Sequence, residues 1–174
     1  MSRNALASIL VMAFVVGSDA SADNNAERTI QAVKTARYPL VEAIRLAEMQ
    51  GNGPAIDAEL VSGTGHSEYQ VKVLRAADKT VREYTIDAMT GTVTAAGTQP
   101  FESLFKRPTA DVVLKSPMDL ATAAITAQKM GGGIAVGAEL DSRRDAVVYD
   151  VKLVKGTTLQ EVQIEAGGKV ASAE

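Results

Sequence analysis

The chain has one histidine, His66, in the stretch SGTGHSEY, and the serines Ser62 and Ser67 on either side make this the first place to look for chemistry. A nucleophilic relay needs a serine or cysteine, a histidine and an orienting carboxylate within hydrogen-bonding reach. The same polar, glycine-containing stretch is also what a hairpin loop requires. Zinc chemistry lacks its ligands, because there is no cysteine and a single histidine cannot supply a paired-histidine motif. No EF-hand loop is present. The glycines in MGGGIA, Met130 to Ala135, follow a helix pattern rather than opening one and lack the Lys-Ser/Thr of a phosphate loop. Acidic residues are scattered, and spacing alone pairs none of them for acid/base work. No catalytic, cofactor-binding or metal-binding residue emerges, and the chain reads as noncatalytic.

The N-terminus carries an address rather than a fold. Arg3 precedes the apolar run ALASILVMAFVV, Ala5 to Val16, and Ala20, Ser21 and Ala22 supply small residues for a signal peptidase. A membrane-spanning helix takes about 20 residues, so this run reads as a cleaved secretory signal over residues 1–22. The remainder has no further apolar span and reads as soluble once the signal is removed. The net charge of −3 leaves no basic stripe for nucleic acid. With no cysteine there are no disulfides and no lipid-modified cysteine, so stability must come from packing. Export without disulfides suits a periplasmic or released protein of a bacterial envelope.

Two stretches carry one pattern. AIDAELVSGTGHSEYQVKVL from Ala55 and AVGAELDSRRDAVVYDVKLV from Ala135 align without a gap at an offset of 80. Tyr69, Val71 and Lys72 meet Tyr149, Val151 and Lys152, while His66 meets Ala146. Downstream, Glu83, Ile86, Ala88 and Val93 correspond to Glu161, Ile164, Ala166 and Val170. Upstream, Ile44 pairs with Ile125 and Met49 with Met130. Internal self-similarity of this kind signals a duplicated unit.

Periodicity gives each unit the same elements. Pro39 and Pro117 suit the first turn of a helix, and Ser116 with Asp119 resembles a capping pair. Leu40, Ile44, Ala47 and Met49 share one helical face, as do Leu120, Ala124, Ala127 and Met130. Gly51, Gly53 and Gly131 to Gly133 end the helices. Three segments with apolar residues at every second position follow in each unit, including Tyr69-Val71-Val73 and Tyr149-Val151-Leu153. The expected fold is α+β: two tandem repeats, each a helix packed on a three-stranded antiparallel meander. Units of this size bury too little surface to stand alone, so they should pack on each other. The stretch between them, with Phe101, Leu104 and Phe105, is too apolar for a flexible linker and should dock.

The pattern of a helix, then AEL, then Y-x-V-x-V, then VREYTIDAMTGTV at residues 81–93 resembles the PepSY domain family. The second copy, LQEVQIEAGGKV, departs from it, with Glu165 in place of the aspartate and a shorter turn. Between a signal at 1–22 with a helical extension at 23–37 and the chain's end, the resemblance sets a first module at 38–95 and a second at 116–174, with a connector at 96–115. Tyr69, Val71, Ile86, Asp87 and Gly91 occupy its motif positions, as do Tyr149, Val151, Ile164, Glu165 and Gly168, and each has a structural explanation. The resemblance implies a noncatalytic binding module with no cofactor, a peptidase inhibitor or regulator acting through protein contact, with a secreted or envelope peptidase as partner. The other reading is an envelope structural or small-ligand-sensing tandem domain. Binding by strand addition at a sheet edge and binding through the loops at Val61–Ser67 and Asp141–Ala146 both stay open.

Overall fold

The computed structural model describes residues 20–62, 66–101, 109–143, 146–167 and 170–173. Four helices are present among these residues: α1 (Ala20–Thr35), α2 (Leu40–Gly51), α3 (Ala110–Leu114) and α4 (Leu120–Gly131). The strands are β1 (Ala55–Ser62), β2 (Ser67–Leu74), β3 (Thr80–Asp87) and β4 (Val93–Pro100), then β5 (Ile134–Arg143), β6 (Ala146–Lys155), β7 (Thr158–Glu165) and β8 (Val170–Ala173). They form one antiparallel sheet in the order β4-β3-β2-β1-β5-β6-β7-β8. The chain is therefore α+β, and a fourth strand extends the three expected after each long helix. Residues 1–19 of the expected signal lie outside the described residues, and α1 already begins at Ala20. No helix among the described residues is long and apolar enough to cross a membrane.

Helices α2 and α4 pack on one face of the sheet and on each other. In α2 the residues Leu40, Ala43, Ile44 and Ala47 are buried; in α4, Leu120, Ala123, Ala124 and Ala127. The two helices begin and end 80 residues apart, so Ile44 corresponds to Ala124. The expected partner, Ile125, is only half-buried. Met49 and Met130 are 74% and 54% exposed, which removes them from the buried face. Met49 follows Ala47 by two residues, about 200° around the helix, and so points away from the sheet.

The helix ends also differ from expectation. Asp119, not Ser116, caps α4, accepting the Thr122 N–H at 2.7 Å. Pro39 is itself the residue before α2, with extended backbone, and Pro117 stands outside α4. Asn52, rather than a glycine, takes the left-handed conformation that ends α2, while Gly132 does so for α4. Gly51 and Gly53 are needed for space: a Cβ on Gly51 would stand 2.6 Å from the Val73 side chain.

The halves of the sheet meet at β1 and β5, where Ala58 faces Ala138, flanked by Asp57 against Glu139 and Glu59 against Gly137. One buried apolar cluster runs through both halves. The stretch after β4 docks as expected where it is described. Phe101 is fully buried and donates its N–H to the Lys79 carbonyl at 3.0 Å, and Lys79 Nζ reaches Asp111 at 2.9 Å. Ala110 and Val113 of α3 are buried too. Leu104 and Phe105 lie outside the described residues.

Candidate binding groove

The motif tyrosines anchor the helices from below. Tyr69 OH donates to the Tyr38 carbonyl at 2.7 Å, just ahead of α2. Tyr149 OH donates to the Met118 carbonyl, just ahead of α4, and lies 3.0 Å from Ser116 Oγ. Burial raises both phenols, Tyr69 to about 12, so they remain proton donors across the physiological range. Val71, Ile86, Val151 and Ile164 are fully buried beside them, with Tyr69 facing Ile86 and Tyr149 facing Ile164. Replacing Tyr69 with Phe keeps the packing and orphans one carbonyl, an expected loss of about 1–1.5 kcal/mol in urea denaturation.

Asp87 organises the turn between β3 and β4. Its Oδ1 accepts the Thr90 N–H at 2.7 Å, the Met89 N–H at 2.9 Å and the Thr90 hydroxyl at 3.0 Å. These bonds hold its carboxyl below the usual aspartate range. Gly91 takes positive φ (71°), and any Cβ would stand 2.6 Å from the Tyr38 ring. Glu165 is exposed at the end of β7, and Gly168 lies outside the described residues.

The residues that could have formed a relay are not assembled into one. The Ser62 hydroxyl donates to the Arg28 carbonyl at 3.2 Å, and His66 Nε2 lies 3.6 Å from Glu68 on an exposed surface. No group of three or more potential metal ligands occurs among the described residues. The sheet face opposite α2 and α4 has mixed charge at the seam. Lys72 bonds Asp57, Lys152 lies 3.6 Å from Glu59, and Gln163 donates to Asp150. Burial, then the Asp57 charge, pushes the Glu139 carboxyl up.

Glu48 was not singled out by its sequence setting, yet it holds α2 to the sheet. Its Oε1 accepts the Ala55 N–H at 2.9 Å, and Gln128 Oε1 accepts the Ala135 N–H at 2.9 Å from α4. Burial raises the Glu48 carboxyl despite that bond. A raised folded-state pKa means that ionisation costs more in the folded protein than in the unfolded chain. The cost is absent below the unfolded value and grows as pH rises through the folded one. Glu48→Gln keeps the acceptor, as Gln128 does. It should raise the melting midpoint at pH 7 and leave it unchanged in acid, measured by thermal unfolding across pH.

A concavity runs along α1. Ile30 and Ala32 bury their side chains, and the chain leaving the helix is pinned by the Arg37 and Tyr38 N–H groups on the Ala88 carbonyl. This leaves a groove of about 900 Å³ bordered by Glu27, Arg28 and Gln31 of α1, by Ser62 and Ser67 at the β1–β2 hairpin, and by Thr157. It adjoins one of the two loops expected to bind. Residues 63–65 of that loop and 144–145 of its counterpart lie outside the described residues. The sequence treats α1 as a mere extension; only the fold shows it as a groove wall.

Comparison with known proteins gives two findings. Residues 37–96 match the family model described as "Peptidase propeptide and YPEB domain", PepSY. A crystal structure described as that of a putative lipoprotein from Clostridium difficile 630 is 22% identical, with 80% of this chain and 93% of that chain covered at a TM-score of 0.48. A search of curated proteins finds no significant match.

Proposed function

We propose that the chain, which carries a PepSY domain at residues 37–96, is an extracytoplasmic binding protein that regulates a peptidase by contact, with the groove along α1 receiving a segment of the partner. The family description relates such domains to peptidase propeptides, which supports a noncatalytic role. The observation that carries the reading is the groove itself, beside the hairpin where the two aligned stretches differ most. A segment laid in it meets Glu27, Arg28 and Gln31 on one side and hairpin serines on the other. Residues 1–22 direct export in this reading, and the mature protein works in the periplasm or outside the cell.

The proposal includes two tandem modules, at 38–95 and 116–174, built on one plan. Several internal features support this by recurring 80 residues apart. Tyr69 bonds residue 38 as Tyr149 bonds residue 118, and Glu48 bonds Ala55 as Gln128 bonds Ala135. The register irregularity after Ala55 in β1 recurs after Ala135 in β5. Even α3 falls 80 residues after Ile30–Lys34 of α1, so the shared plan takes in parts of the extension and the connector.

The test is binding and inhibition against a panel of secreted metallopeptidases, with Gln31→Trp as the groove-filling variant. Inhibition that weakens at least tenfold in the variant, with unchanged melting, supports the reading. Neither binding nor slowing of any peptidase sinks it, and so does inhibition that the variant leaves intact.

A further inference from the structure

We propose that the outer edge of β4 is a self-association surface, pairing antiparallel with β4 of a second copy of this chain. Among the described residues the strand has a single neighbour in the sheet, β3, and its residues 94–100 are all exposed. It reads VTAAGTQP, without a charged residue. Sheet edges present unpaired main-chain donors and acceptors, and folded proteins ordinarily guard them with charged side chains, lysine above all. Here the interruptions are Pro100 at the end of the strand and a register irregularity between Arg82 and Tyr84. The central stretch carries only small residues and threonine.

The ladder determines which groups face outward. The Asp87 N–H donates to the Thr92 carbonyl and the Phe101 N–H to the Lys79 carbonyl. Inward and outward positions alternate along an antiparallel strand. Counting inward from either end, Ala95, opposite Tyr84, and Thr98, opposite Arg82, turn their main-chain groups away from β3. A two-fold axis between Ala96 and Gly97 then sets Ala95 of each copy against Thr98 of the other. Ala95 and Thr98 both gain a partner in that one register.

A second copy fits this edge for two reasons. A two-fold contact brings identical surfaces together, so a charged strand would repel itself while this one does not. The chain also already joins its own halves by an antiparallel strand pair centred on the small residues Ala58 and Ala138, with Gly137 alongside. Ala95, Ala96 and Gly97 repeat that composition, and space is open around Gly97. The contact closes on itself, giving a dimer rather than a filament.

Sedimentation equilibrium of the purified chain should show a concentration-dependent dimer. Thr98→Lys should weaken it at least tenfold without changing the circular dichroism. Because the natural chain has no cysteine, Ala95→Cys and Thr98→Cys chains mixed under mild oxidation should give a disulfide-linked heterodimer in preference to either homodimer. A monomer at every concentration overturns the proposal. A dimer indifferent to Thr98→Lys, or a mixture that favours the homodimers, overturns it equally.

Discussion

Gly53→Ala should lose about 3–4 kcal/mol of stability, the largest effect of a methyl added at any of the described glycines. The added Cβ would stand 2.0 Å from the Leu74 carbonyl oxygen and 3.0 Å from its carbonyl carbon. Main chain, unlike a side-chain tip, cannot swing aside. Leu74 is fully buried, and its N–H donates to the Pro54 carbonyl at 2.9 Å, so displacing it strains both partners of that bond. Gly133, the matching residue before β5, would meet the Val154 oxygen at 2.8 Å. Its alanine variant should cost less, about 2 kcal/mol. Gly97→Ala meets nothing within 4 Å and should be neutral or slightly stabilising. Urea denaturation of the three variants checks the order; a Gly53→Ala midpoint near that of Gly97→Ala would refute the steric argument.

Phe101→Ala should cost about 3–5 kcal/mol, the range for deleting a buried aromatic side chain. Phe101 is fully buried in the same apolar cluster as Leu74, Val81, Ala110 and Val113. Its loss should do more than leave a cavity. Phe101 and Asp111 are both tied to Lys79, by the Phe101–Lys79 main-chain bond and the Lys79–Asp111 ion pair. With the ring gone, the end of β4 and the α3 residues packed in the same cluster should become accessible to protease before the rest of the protein unfolds. Val112→Ala, at an exposed position of α3, is the control. Limited proteolysis followed by mass analysis separates local release from global unfolding, and cleavage at wild-type rates in Phe101→Ala would count against the anchor.

The strands that carried the pattern were readable because tyrosines and β-branched residues alternate over a single buried face. That alternation fails at β4. Among its eight residues only Val93 is a branched apolar residue and partly buried; the remaining TAAGTQP resembles loop sequence, and everything from Thr94 onward is exposed. An edge strand held by main-chain bonds leaves little periodic trace. Side-chain type alone sets the two helices one residue out of step. Ile125 matches Ile44 in type, but α4 buries Ala124, 80 residues after Ile44, and leaves Ile125 half-buried. The methionines misled because hydrophobicity alone cannot tell the last turn of a helix from its buried stripe. Glu48 escaped notice because its role requires the strand start at Ala55 to fold back against it. The groove along α1 was equally hidden, since its walls come from residues over 100 positions apart in the chain, Glu27 and Thr157.

The seam at Ala58 and Ala138 has a kinetic consequence. Every other strand pair in the sheet joins neighbours along the chain, so those hairpins close short loops. Pairing β1 with β5 must close a loop of 80 residues and is the entropically expensive step. The hairpins should therefore form early; closing that loop is the barrier, and the seam contacts themselves form on its native side. Ala58→Gly should then steepen the loss of the native state, raising the unfolding rate while refolding keeps its speed. A stopped-flow chevron in which only the unfolding arm moves bears this out; a slowed refolding arm would place the seam in the folding nucleus. A late seam means the two halves can each settle their own strand register before they commit to one another.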